Sequence, residues 1–181
     1  MSQRSGDLRL HAASREGVLA TFFVLGTHAE HYASTLRRMQ AEGHTIGIHG
    51  MNHRTLSRAD TAEVDREIED VLAVLERHGV RPAGVYRTPH GYKSASVFAA
   101  ARQRGLTVWV WSRGVWDTAS PPPAVLVRRA TRWARSGMVL LLHDGRGVDA
   151  HPDVSSMLSA LPDIIGVLRR RGFTFVGLDD A

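Results

Sequence analysis

The sequence predicts an α/β protein built on a mostly parallel sheet. Three observations carry that expectation. Short β-branched or aromatic runs alternate with longer amphipathic segments along the chain. Glycines stand where most of the amphipathic segments should stop. The residues best suited to chemistry follow the short runs, as they do at the C-terminal ends of parallel strands.

The strand candidates are Ala20–Leu25, Thr45–Ile48, Gly84–Tyr86, Thr107–Trp111, Met138–Leu142 and Phe173–Val176. Their apolar residues are consecutive, the pattern of strands buried on both faces. Between them, His31–Ala41 carries Tyr32, Leu36 and Met39 at helical spacing. Asp60–His78 carries Val64, Ile68, Val71, Leu72 and Leu75 as a 3.6-residue stripe. Ser94–Arg104, Pro122–Arg135 and Val154–Arg171 complete the helices, and Gly43, Gly79, Gly105, Gly137 and Gly172 follow the five segments. Strand–helix–strand repetition implies right-handed crossovers, which fit either an open doubly wound sheet or a barrel. There is no internal repeat, and the sequence reads as one domain over residues 1–181.

The composition is that of a globular chain: of 181 residues, 43% are hydrophobic and 23% charged. The chain has no cysteine, which excludes disulfides, thiolate ligands and a cysteine nucleophile. The net charge is +5, but Lys93 is the only lysine and the other basic side chains are arginines, a bias typical of codon usage. Arg128, Arg129, Arg132 and Arg135 can share a helical face, yet only Trp133 stands near them, so a solvated face is favoured over nucleic-acid binding. No stretch is long and apolar enough to span a bilayer. The segment MSQRSGDLRLHAASREG has no apolar core of signal-peptide length, so localisation stays open.

Four constellations carry chemistry. His49-Gly-Met-Asn-His53 places two imidazoles four residues apart, able to share a metal if they face the same way on a helical turn. With 10 histidines in the chain, two surface or capping histidines are the bland alternative; position after a strand favours the metal. Arg87-Thr-Pro-His-Gly91 suggests a fixed tight loop that can aim backbone N–H groups at a reacting oxygen. Asp117, in the loop Trp111-Ser-Arg-Gly-Val-Trp-Asp117, can pair with Arg87 across neighbouring strands to tune a neighbouring group or hold the loop. His143, ending the apolar run Met138–Leu142, is partly desolvated, which suits proton transfer near neutrality. Taken alone, the Arg87 loop reads better as a plain turn and His143 as a satisfied core histidine, and the signal at Asp117 is weak.

Their order and spacing together resemble the polysaccharide deacetylases, the NodB-homology or carbohydrate esterase family 4 enzymes. ATFFVLG at Ala20–Gly26 is similar to that family's second-strand signature, and EGHTIGIHGMNH to its metal-binding segment. RTPHG is similar to its Arg-x-Pro-x-Gly motif, the loop ending at Asp117 to its fourth motif, and LLH ending at His143 to its fifth. The tail LPDIIGVLRRRGFTFVGLDD resembles its last helix and strand. The resemblance implies a distorted (β/α) barrel and a divalent metal, usually zinc, with His49 and His53 as ligands. It implies attack of a metal-bound water on an acetamide, or in some members an acetyl ester, of an acetylated carbohydrate. It makes His143 the general acid, the His90 backbone N–H an oxyanion donor, and Arg87 with Asp117 the supporting pair. Leu141 would line the pocket for the acetyl methyl. The family's fourth motif ends Asp-Trp where this chain has Asp117-Thr118, so Trp116 is the candidate for the missing apolar cover.

The family's first motif, Thr-Phe-Asp-Asp-Gly-Pro, supplies a catalytic base and a third metal ligand. By count it should fall just before Met1. Met1–Gly17 reads as the loop and helix after it, and neither Asp7 nor Glu16 has a reason to take either role. The expectation is therefore an N-terminally incomplete domain lacking the first barrel strand, with little activity by itself and with two unpaired sheet edges that a second copy could cover. The alternative is a non-catalytic relative that binds glycan or serves as a structural partner.

Overall fold

The structure is a computed structural model that describes residues 16–145, 147–149 and 152–178. The expected loop and helix over residues 1–17 therefore lies almost wholly outside the described residues. The described residues divide into two compact units, one formed by those of 19–110 with 177–178, the other by those of 16–18 with 111–176.

The first unit holds a four-stranded, wholly parallel sheet. Its strands β1 (Thr21–Val24), β2 (Thr45–Ile48), β3 (Val85–Tyr86) and β4 (Thr107–Val108) lie side by side in chain order. Register runs Thr21 to Thr45 and Val24 to Ile48, then Ile48 to Tyr86, then Tyr86 to Val108. The helices are α1 (Gly26–Ala41), α2 (Thr61–Arg77) and α3 (Ala95–Gln103). In α2 the stripe closes over the sheet as expected: Val64, Ile68, Val71 and Leu75 are fully buried. Val74 joins them, while Leu72 is only half-buried.

Local chemistry fixes the helix ends. Asp60 caps α2 by accepting the Glu63 N–H at 2.8 Å, and Glu63 returns the bond to the Asp60 N–H at 3.0 Å. Ser94 caps α3 through the Val97 N–H. Gly79 and Gly105 leave α2 and α3 at φ +67°, the left-handed conformation that a glycine adopts without steric cost.

The second unit holds β5 (Arg113–Gly114) paired in parallel with β6 (Leu140–Leu141), and the helices α4 (Pro123–Thr131) and α5 (Ser155–Arg170). Val115, Leu126, Ala130, Met157, Ala160, Ile164 and Leu168 form its apolar core.

Several expectations are corrected. α1 begins at Gly26, five residues before the predicted start, because the chain turns helical straight from β1 and passes through a non-helical Tyr32 (φ −125°) that breaks the apolar period. α4 ends at Thr131 rather than Arg135. Phe173–Val176 does not form the expected strand, whereas Arg113–Gly114 pairs as one although its sequence carries no apolar signal. β2 is buried throughout, as predicted, but β1 is only half-buried at every position.

Candidate active site

β2 delivers His49 from its C-terminal end, with the His49 N–H bonded to the Val24 carbonyl at 2.9 Å. The residues that follow do not form the helical turn that the four-residue spacing suggested. They form a loop with His53 at φ +61°. The loop nevertheless brings the rings together, with centroids 5.0 Å apart and planes at 71°. Two imidazoles that share a tetrahedral ion at a Zn–N distance of about 2.1 Å have centroids roughly 5 Å apart. His49 Nδ1 lies 2.6 Å from the Arg87 carbonyl oxygen. A carbonyl only accepts, so Nδ1 carries the proton and the ring's lone pair sits on Nε2, the usual preparation of a ligating histidine. Among the described residues no group of three or more histidine and acidic side chains converges to hold a metal. The pair therefore fits as two nitrogen donors of a larger ligand set.

Arg87 follows β3 at the same end of the sheet, its N–H bonded to the Ile48 carbonyl. Its guanidinium is buried, donates to the carbonyls of Trp109 and Val110 at 3.4 Å each, and stands 4.0 Å above the Phe23 ring. Burial pushes this guanidinium down to about 10, which still leaves it cationic at neutral pH. The tight loop expected after Arg87 is present: Pro89–Gly91 forms a single 3-10 turn, and the Gly91 N–H closes on the Thr88 carbonyl at 3.0 Å. His90 sits in it at φ +59°, its ring centroid 4.6 Å from that of His53, with Tyr92 5.9 Å beyond.

In the second unit, Asp117 and His143 are joined. Asp117 is buried at the start of a 3-10 turn, Asp117–Ala119. Its two oxygens accept from the backbone N–H of His143 at 2.6 Å and from the ring Nδ1 at 2.9 Å. The His143 side chain keeps 40% of its surface exposed, so its acidic partner marks it out more than desolvation does. Leu141 is half-buried in β6, and Trp116 is 75% exposed at φ +59°. The predicted pairing of Arg87 with Asp117 joins residues of different units. Within its own unit each has the partners just described.

Among the described residues, four other than glycine take positive φ: His53, His90, Trp116 and Ser120. Three of these are site residues identified from the sequence, in keeping with the concentration of backbone strain at functional sites. The sequence reading did not find Phe23 beneath Arg87, nor the direct Asp117–His143 bond. No periodicity signals either one, because both are contacts between loops or strands distant in sequence.

A sequence model of the polysaccharide deacetylase family matches residues 10–109. A peptidoglycan-N-acetylglucosamine deacetylase of Bacillus cereus is 31% identical over 163 residues, 89% of this chain and 74% of that protein. A chitooligosaccharide deacetylase of Bradyrhizobium sp. is 33% identical over 173 residues, 91% of this chain and 78% of that one. A family 4 carbohydrate esterase structure from Streptomyces lividans superposes with a TM-score of 0.84 at 24% identity, covering 94% of this chain and 84% of that one, a likeness of fold. With a parallel α/β fold, the motif residues at the strand ends and these relatives, the chain belongs to the polysaccharide deacetylase family.

Proposed function

We propose that this chain is the body of a metal-dependent deacetylase acting on N-acetylated carbohydrate of the chito-oligosaccharide or peptidoglycan kind. The observation that carries this reading is the His49–His53 pair, with His49 turned by the Arg87 carbonyl so that Nε2 keeps its lone pair. His49 and His53 would hold the ion, zinc being the usual choice for imidazole donors. A bound ion supplies Lewis acidity and an acidified water.

The chain's own residues do the rest. His143, held through Nδ1 by Asp117, presents Nε2 and gives a proton to the departing nitrogen as the amide C–N bond breaks. The His90 backbone N–H, on its tight turn, donates to the acetyl oxygen as that oxygen gains charge. Leu141 borders the acetyl methyl, and exposed Trp116 covers a sugar face. The products are acetate and a free amine.

A histidine pair needs a carboxylate beside it, both to bind the ion well and to take the water's proton. The test compares acetate release from an N-acetylated chito-oligosaccharide, with added zinc, by two polypeptides. One is the 181-residue chain; the other is the same chain preceded by a strand ending Thr-Phe-Asp-Asp-Gly-Pro. Little acetate from the first and chelator-sensitive turnover by the second is the expected result. Strong turnover by the first would remove the need for added acids. Tight saccharide binding with no acetate from either would favour a glycan-binding relative.

A further inference from the structure

The loop that carries the two imidazoles is bonded to the two helices beside it. Gly50, at φ +86°, has no side chain to offer. Its centre, the peptide of Met51, is instead gripped from both sides by α1 and α2. The Met51 N–H donates to Glu67 Oε2 at 3.0 Å. The Met51 carbonyl accepts from the Thr27 N–H at 3.0 Å and from the Thr27 hydroxyl at 2.9 Å. One residue earlier, the Gly50 carbonyl accepts from the Gly26 N–H at 3.1 Å. The other oxygen of Glu67 accepts from Arg54 Nε at 3.1 Å, directly after His53. The Glu67 side chain is only 13% exposed, so its bond to the Met51 N–H is poorly screened by water. The fit is close: a Cβ at Gly26 would run into Met51 Sδ.

We propose that Glu67 and Thr27 are positioning residues for the His49–His53 pair. They clamp the Met51 peptide and thereby set the spacing and orientation of the two imidazoles toward a divalent cation. The proposal deepens the metal-dependent reading above and rests on it for the cation, while the clamp itself stands on the loop geometry. Sequence alone hides both residues, since Glu67 reads as one more acid on the polar side of α2 and Thr27 falls ahead of the helix expected from His31.

The test titrates Zn²⁺ into the 181-residue chain and into E67A, E67Q, T27V and T27S. Hydrogen–deuterium exchange is followed in parallel over residues 49–53. E67A and T27V should lose about 10- to 100-fold in zinc affinity, the usual cost of removing an outer-sphere support. The same variants should exchange faster across the loop. T27S keeps the hydroxyl and should bind as the parent does. E67Q keeps an oxygen for the Met51 N–H and should lie between. D60A, which weakens the start of α2 and removes no bond to the Met51 backbone, controls for lost stability and should leave zinc affinity unchanged. Parent-like zinc affinity and loop exchange in E67A and T27V would overturn the proposal, and so would equal losses in D60A. Should H49A bind zinc as the parent does, the metal reading fails instead, and loop exchange alone decides the clamp. Should E67A not fold, the contrast of T27V with T27S decides it.

Discussion

Asp117 holds His143 at two points, the ring Nδ1 at 2.9 Å and the backbone N–H at 2.6 Å. The carboxylate is almost wholly buried while the imidazole keeps an open face. This arrangement fixes both the tautomer and the aim of Nε2, and it links a loop residue to the end of β6, 26 positions away. The pair should act as a unit. In whichever polypeptide releases acetate in the comparison above, H143A and D117A should each lower kcat/KM for acetate release by about 10²- to 10⁴-fold. The double variant should be no worse than H143A alone, because a support has nothing left to hold. Additive losses in that cycle would mean that Asp117 serves catalysis by another route.

Arg87 is a buried cation that donates to two carbonyls and lies over an aromatic face. Lysine cannot reproduce that planar fork. R87K should therefore cost about 1–3 kcal/mol in urea unfolding, the range of hydrogen bonds to a charged group. F23L should cost less, about 0.5–2 kcal/mol through the lost ring contact. An R87K unfolding midpoint equal to the parent's would show that the guanidinium geometry is not needed for stability.

The capping box of α2 offers a further stability test, being exposed. D60A leaves the Glu63 N–H without its side-chain acceptor and should lower stability by about 1 kcal/mol. D60N and D60S retain an acceptor and should fall within a few tenths of the parent. Chemical denaturation of the three variants checks the order.

How far the sequence could be read follows from what each feature depends on. Helices α2 and α3 were legible to within a residue because their caps, Asp60 and Ser94, and their terminal glycines are local signals. The first turns of α1 were not, because Leu25 offers no side-chain cap and Tyr32 breaks the helix inside. β5 is two residues long and owes its pairing to Leu140 and Leu141 rather than to its own composition. The site residues showed in sequence because strand ends collect them. Their partners, Phe23, Glu67 and Thr27, did not, since each supports its neighbour across the fold. Gly47 makes the same point in the core: a Cβ there would lie 2.8 Å from Phe23 and 2.9 Å from Val85, a crowding that no sequence pattern announces.

His44 should make stability depend on pH. The residue is buried, Nδ1 accepts the Ala20 N–H at 3.3 Å, and Nε2 has no hydrogen-bond partner among the described residues. The neutral ring therefore carries its proton on Nε2. Protonating it would place a second proton on Nδ1, against the Ala20 N–H, in a site with little water. Burial accordingly holds the folded imidazole below its ordinary value of 6.5, with Glu42 opposing weakly. For a base depressed in the folded state, the unfolded chain binds more protons, so stability rises with pH. The contribution of His44 is complete above 6.5 and is lost as pH falls below that value, until the folded group itself titrates. Urea midpoints measured between pH 7.5 and 5 should decline, and the decline should be shallower in H44F, which keeps a ring beside Phe22 and removes the titrating group. The histidines elsewhere in the chain are common to both proteins, so the difference between the two slopes isolates His44. Parallel slopes would mean that the buried ring is not coupled to folding.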